Sequence, residues 1–294
     1  MDWRVNALIY SAFHYMPFGA HAYEFTQRRI TRTVPRQLAP ILSKSEYVKN
    51  ARVVAAHFPD LSGINCYEFG AGWDLLSNLV LYCFGVERQT VGDVTPLARR
   101  DLINSAIEQL PAQADRLGFK RCPEVLLGED WVADLKRAYG ISYVAPMNPC
   151  ATGLSADSID LMVSAHTFEH VPWDALRQSL HESYRICRQG ALVVVHVNYT
   201  DHYFYKDRNI TPYNFLRYSP RQWRWFNPPN HHQNRKRHVD YRRLFEEIGF
   251  QVVDEVTSSD DQWRPPPPTG LSAEFRDYSA EQLRPLSGRF TLTK

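Results

Sequence analysis

Residues 66–72 read Cys66-Tyr67-Glu68-Phe69-Gly70-Ala71-Gly72, a short apolar run that ends in an acid and a Gly-x-Gly. Glycine at Gly70 and Gly72 lets the chain turn sharply and brings bare backbone close to a ligand. A second apolar stretch, from Thr90, closes on another acid, Asp93. A strand ending in a glycine turn, then a helix, then a strand ending in an acid describes one unit of an open α/β sheet. Ligands of such sheets bind outside the carboxyl ends of the strands, and both acids fall there.

The rest of the chain keeps that alternation, the mark of a parallel sheet with crossover helices. Apolar residues Leu42, Tyr47, Val48, Ala51, Val54 and Ala55 predict a helix over 42–58. Another follows the Gly-x-Gly, with Leu75, Leu76, Leu79, Val80 and Cys83 on one side and Gly85 as its stop. Thr95-Pro96 reads as a cap and first turn, and 99–140 as a charged helical segment. Strands are expected at 142–144 and 160–164. Trp173, Leu176, Leu180, Tyr184 and Cys187 predict a helix over 173–188, stopped by Gly190. The aliphatic run 191–197 predicts a strand covered on both faces. A helix over 240–249, a strand over 250–256 and a last strand near 288–293 complete the pattern. Residues 1–58 are expected to form an N-terminal helical cap, with Arg28, Arg29 and Arg32 close together and an oligomer contact as one use for it. Residues 59–294 form the main domain, carrying an aromatic insertion at about 199–239.

With 294 residues, 44% of them hydrophobic, the chain can bury a large core. A formal net charge of +2 gives no electrostatic case for nucleic acid. The five cysteines form no Cys-x-x-Cys pair and no zinc spacing, which favours buried thiols in a reducing compartment. No run approaches the ~18 apolar residues of a membrane span, so a cytoplasmic protein is expected.

Glu68-Phe69-Gly70-Ala71-Gly72, then Gly92-Asp93-Val94-Thr95-Pro96, then Asp157 through Val171 in the form Asp-Ser-Ile-Asp-Leu-Met-Val-Ser-Ala-His-Thr-Phe-Glu-His-Val together resemble the class I S-adenosylmethionine-dependent methyltransferases. Closest is the small-molecule group with Ser-x-x-x-x-Glu-His after the fourth strand. The likeness covers roughly residues 60–256 and the final strand. It implies a Rossmann-like, doubly wound sheet of about seven strands, mostly parallel with the last antiparallel, helices on both faces. It also implies S-adenosyl-L-methionine as cofactor, held by Glu68, Gly70, Ala71, Gly72, Asp93, Val94 and Ser164. Glu68 would reach the amino-acid portion and Asp93 both ribose hydroxyls. Two features depart from the pattern. Asp74 stands where a third glycine is frequent, and no acid stands at 143–149 for the adenine amino group, where Asn148 is the substitute. A dinucleotide reading needs a glycine where Leu75 stands.

Transfer to a hydroxyl needs a base, and His202, His170 and His166, with Asp201 beside His202, stand at strand ends. His166-x-x-Glu169-His170 resembles the Glu-x-x-Glu-His trio with which certain methyltransferases of ubiquinone precursors and small-RNA ends hold a divalent ion. With histidine first, a metal is an option, and none is assigned. In the insertion, Tyr203, Tyr205, Tyr213, Tyr218, Trp223 and Trp225 offer flat faces that suit a carbohydrate and equally an aromatic metabolite; a sugar or glycan hydroxyl is the expected acceptor. A natural-product phenol or amine is the alternative, and a non-catalytic interaction protein the reading of another class. Arg235, Lys236 and Arg237 with His231, His232 and His238 form a basic run that reads as solvated surface.

Overall fold

A computed structural model describes every residue except 1, 20, 21, 23, 24, 27, 28, 30–33 and 71. Arg28, Arg32 and the cofactor-loop candidate Ala71 therefore lie outside the described residues. The helices that matter here are α1 (Trp3–Tyr15), α2 (Glu46–His57), α3 (Leu76–Phe84), α4 (Arg100–Gln109), α5 (Trp131–Tyr139), α6 (Trp173–Ile186) and α7 (His238–Ile248). The strands are β1 (Asn65–Phe69), β2 (Arg88–Gly92), β3 (Ile141–Val144), β4 (Ile159–Ala165), β5 (Cys187–Asn198), β6 (Gln251–Ser258) and β7 (Ser287–Thr293).

They form one seven-stranded sheet in the order β3-β2-β1-β4-β5-β7-β6. Every pairing from β3 to β5 is parallel, and β7 runs antiparallel to both β5 and β6. Consecutive strand residues face opposite sides, which is why near-continuous aliphatic strands serve two cores. Cys66, Leu161, Val163, Leu192 and Val194 pack on one face under α2, α3, α4 and α5. Tyr67, Met162, Val193 and Val195 pack on the other under α6 and α7. The expected doubly wound sheet is what these residues build.

A third cluster joins Trp3 and Ala7 of α1 to Tyr203, Tyr213, Phe215 and Trp223 of the insertion. Within the segment read as a cap, α1 thus docks on the insertion, whereas α2 lies in the main core through Val48, Ala51 and Val54. Three local expectations are corrected. The helix from Trp173 ends at Ile186, because Cys187 already pairs with Ile159; Gly190, at φ 77, sits at a register shift within β5. No helix opens at Thr95-Pro96: residues 93–99 are loop, and α4 starts at Arg100. The 99–140 segment is broken after Gln109 by a short turn from Pro111 and by Gly118 at φ 73.

Candidate active site

Beyond the carboxyl ends of β1, β2 and β4 lies a cavity of about 850 Å³, toward the upper end of small-molecule sites (roughly 300–1,000 Å³). Its floor is Phe69, Gly70, Gly72, Gly92, Asp93 and Val94, and its far wall is His166, Thr167 and His170. Phe13 and His14 of α1 reach it from one side, and Pro229 and Asn230 of the insertion from another. Neither pair was singled out from sequence. Their signal is tertiary, since both are delivered by the aromatic cluster that fixes α1 on the insertion.

Local chemistry explains the floor. Gly70 sits at φ 77, donates its N–H to the Gly92 carbonyl at 2.8 Å, and accepts from the Thr167 hydroxyl at 3.0 Å. A Cβ there would stand 2.3 Å from Thr167 Cγ2, so only glycine lets β1 and β4 close on each other. Gly72 sits at φ 76 with open space where its Cβ would be. Asp74 Oδ1 accepts from Leu76 N–H at 3.3 Å at the start of α3, and Arg36 grips the carboxylate at 2.6–2.9 Å.

Asp93 is the principal polar group of the floor. It is buried, and its Oδ2 has no hydrogen-bond partner among the described residues. Burial pushes its carboxyl up to about 6, against the pull of main-chain N–H groups of Thr95, Gly72 and Val94. A carboxylate binds a diol better than a carboxylic acid does, so ligand affinity is expected to fall as pH drops through about 6. Calorimetric titration with the cofactor between pH 5 and 8 checks it; affinity flat across that window would contradict it.

The remaining candidates divide. Val94 lines the cavity, as does Asn148, whose Oδ1 accepts from Cys150 N–H at 3.0 Å. Glu68 is buried beneath α3, accepts from Asn78 Nδ2 at 2.9 Å, and is pushed up to about 7 by burial. It does not line the cavity. Neither does Ser164, buried inside β4. Asp201 is fully buried in the insertion, where it accepts from Tyr203 N–H and Asn214 Nδ2 at 2.9 and 3.1 Å. Its carboxyl is pushed up to about 7 by the same burial. His202 packs between the rings of His170 and His231, and burial holds its imidazole well below the usual range. Asp201 and His202 therefore stand behind the cavity wall.

His166 and His170 face the cavity. His166 holds a left-handed backbone, φ 61, of the kind that clusters at functional sites. Its Nδ1 is 3.8 Å from Glu169 Oε1. His170 Nδ1 donates to the His232 carbonyl at 2.8 Å. Among the described residues, the possible metal ligands that lie within reach of one another are Glu169, His170 and His202, with His202 in the place that the contiguous set gave to His166.

A family model described as "Methyltransferase domain" matches residues 25–255, and the chain belongs to that family. It is an S-adenosylmethionine-dependent methyltransferase. Among solved structures, the chain is similar to a putative methyltransferase of Haloferax volcanii in complex with the Trm112 activator. That match has 15% identity and TM-score 0.45, over 99% of this chain and 96% of that one. An Archaeoglobus fulgidus SAM-dependent methyltransferase matches at 11% and 0.46, over 93% and 100%. The [4+2]-cyclase SpnF matches at 10% and 0.46, over 84% and 80%. No curated protein matches the chain.

The residues present fit the cofactor. The unpartnered Asp93 Oδ2 suits a ribose diol, and the open space over Gly72 leaves room for a ligand against the backbone. The sulfonium supplies an activated methyl group with its own leaving group. What the chain adds is position and, for a protic acceptor, a destination for the proton.

Proposed function

We propose that the protein methylates a hydroxyl oxygen, on a sugar or glycan, with His166 as general base. The observation that carries this reading is His166 itself. It lies on the wall of the cavity that Gly70, Gly72 and Asp93 floor, with a carboxylate 3.8 Å behind its ring. Carbon-to-sulfur bonding at the methyl group is exchanged for carbon-to-oxygen bonding, and the hydroxyl proton passes to the imidazole. Positioned bases contribute about 10²–10⁴-fold, so His166→Ala is expected to lower kcat about 10²-fold or more, with cofactor affinity within about twofold. Unchanged turnover, or cofactor binding lost together with turnover, would remove the base assignment.

One observation favours a phenolic acceptor as a second reading. The insertion's Tyr203, Tyr213 and Trp223 are buried in their own cluster, and Tyr205 and Trp225, though exposed, do not line the cavity. The rings that do line it are Phe13, Phe69 and Trp73, beside Met147, Pro149 and Pro172. An acceptor panel with labelled methyl donor separates the two; label on phenols and none on sugars would overturn the sugar reading.

A further inference from the structure

We propose that Glu169, His170 and His202 form a binding site for one divalent cation of the zinc–cobalt–manganese–iron(II) class. Glu169 is the compelling feature. It is 3% exposed, and neither carboxylate oxygen has a hydrogen-bond partner among the described residues. A buried carboxylate without donors is costly, and such groups are normally paired or bound to metal. Around it stand two imidazoles, and one ligand atom from each of the three residues lies within 4.8 Å of the others.

Each imidazole is set up to give a lone pair. A carbonyl oxygen can only accept, so the 2.8 Å contact from His170 Nδ1 to His232 O puts the proton on Nδ1 and the lone pair on Nε2. Orientation of a ligating imidazole by such a carbonyl is the usual supporting arrangement of metal histidines. His202 Nε2 is buried and has no hydrogen-bond partner among the described residues. The backbone that carries the three is braced as one unit. His202 N–H donates to Gln233 Oε1 at 2.9 Å, and Asn234 N–H donates to the Glu169 carbonyl at 2.9 Å.

The donor set decides the metal class. Two imidazoles and one carboxylate suit borderline transition-metal ions, whereas magnesium and calcium prefer oxygen throughout. His170 also lines the cavity, so the cation would sit at the wall of the methyl-transfer site. The assignment does not depend on which acceptor is methylated.

The test uses the full chain, stripped of metal and free of any histidine tag, titrated with Co(II) and followed by visible absorption and calorimetry. One cobalt per chain is expected, with a coordination spectrum that Mg(II) in excess does not displace. Glu169→Gln and His202→Ala should each weaken cobalt binding by more than about 10–100-fold, the range for losing a mere supporting group. Circular dichroism and cofactor affinity should stay at wild-type values. Absence of a coordination spectrum, or variants that bind cobalt like wild type, would overturn the site. Should a variant fail to fold, pulsed EPR of the Cu(II)-loaded wild type decides. Two coordinated imidazoles support the proposal, and one or none overturns it.

Discussion

Asp93→Ala is expected to raise the dissociation constant for S-adenosylmethionine by about 10²–10³-fold, with the fold intact. Hydrogen bonds to a charged group are worth roughly 1.5–3 kcal/mol each. Two of them to a ribose diol, discounted for water that replaces the side chain, leave about 3–4 kcal/mol, and each 1.4 kcal/mol is tenfold. The position adds to this. Asp93 ends β2 beside the glycine turn of β1 and gathers main-chain N–H groups of Thr95, Gly72 and Val94, so removing it also loosens the loop that forms the floor. Asp93→Asn keeps the shape and one acceptor oxygen, and should fall between alanine and wild type. Calorimetric titration measures all three. Undiminished affinity in Asp93→Ala would withdraw the cofactor from this end of the cavity.

The parts of the cavity legible in the sequence are those whose geometry is local. Gly70 and Gly72 are required by positive φ at their own positions, and Asp93 by the strand that ends there. The strands were legible for a similar reason, since the aliphatic runs of β4 and β5 leave no polar face to water. Direction off a strand end is another matter. His166 and His202 both follow strand tips, yet one enters the cavity and the other turns into the insertion, where Gln233 holds its backbone. No spacing distinguishes these outcomes, because the deciding partner lies 31 residues away. The aromatic insertion misled in the same manner. Its Tyr203, Tyr213 and Trp223 bury one another against Trp3, and the exposed Tyr205 and Trp225 stand away from the cavity.

The basic run shows the most consequential reversal, and its largest test is Arg237→Ala. Read as solvated surface, the run instead places Arg237 at 0% exposure and Arg235 at 7%. The Arg237 guanidinium donates to three main-chain carbonyls, those of Tyr199, Leu283 and Pro285, at 2.7, 2.7 and 2.5 Å. It also lies over the rings of Tyr199 and Tyr213 at 5.4 and 5.9 Å. Burial pulls its pKa down to about 10, so it stays charged at neutral pH. Such partners are invisible in a sequence, because every residue carries a carbonyl. One side chain thereby staples the exit of β5 to the segment that leads into β7. Truncation leaves three buried acceptors, each costing roughly 1–3 kcal/mol when unpaired. Water entering the vacated space recovers part of that, for a net loss of about 4 kcal/mol. At about 2–4 °C per kcal/mol for a chain of this size, the melting temperature should fall by about 10 °C. Because neither Arg237 nor the three residues it holds line the cavity, cofactor affinity measured well below that temperature should change far less than in Asp93→Ala. A melting temperature within a degree or two of wild type would show that the carbonyls find other donors and that the insertion is held by its aromatic cluster alone.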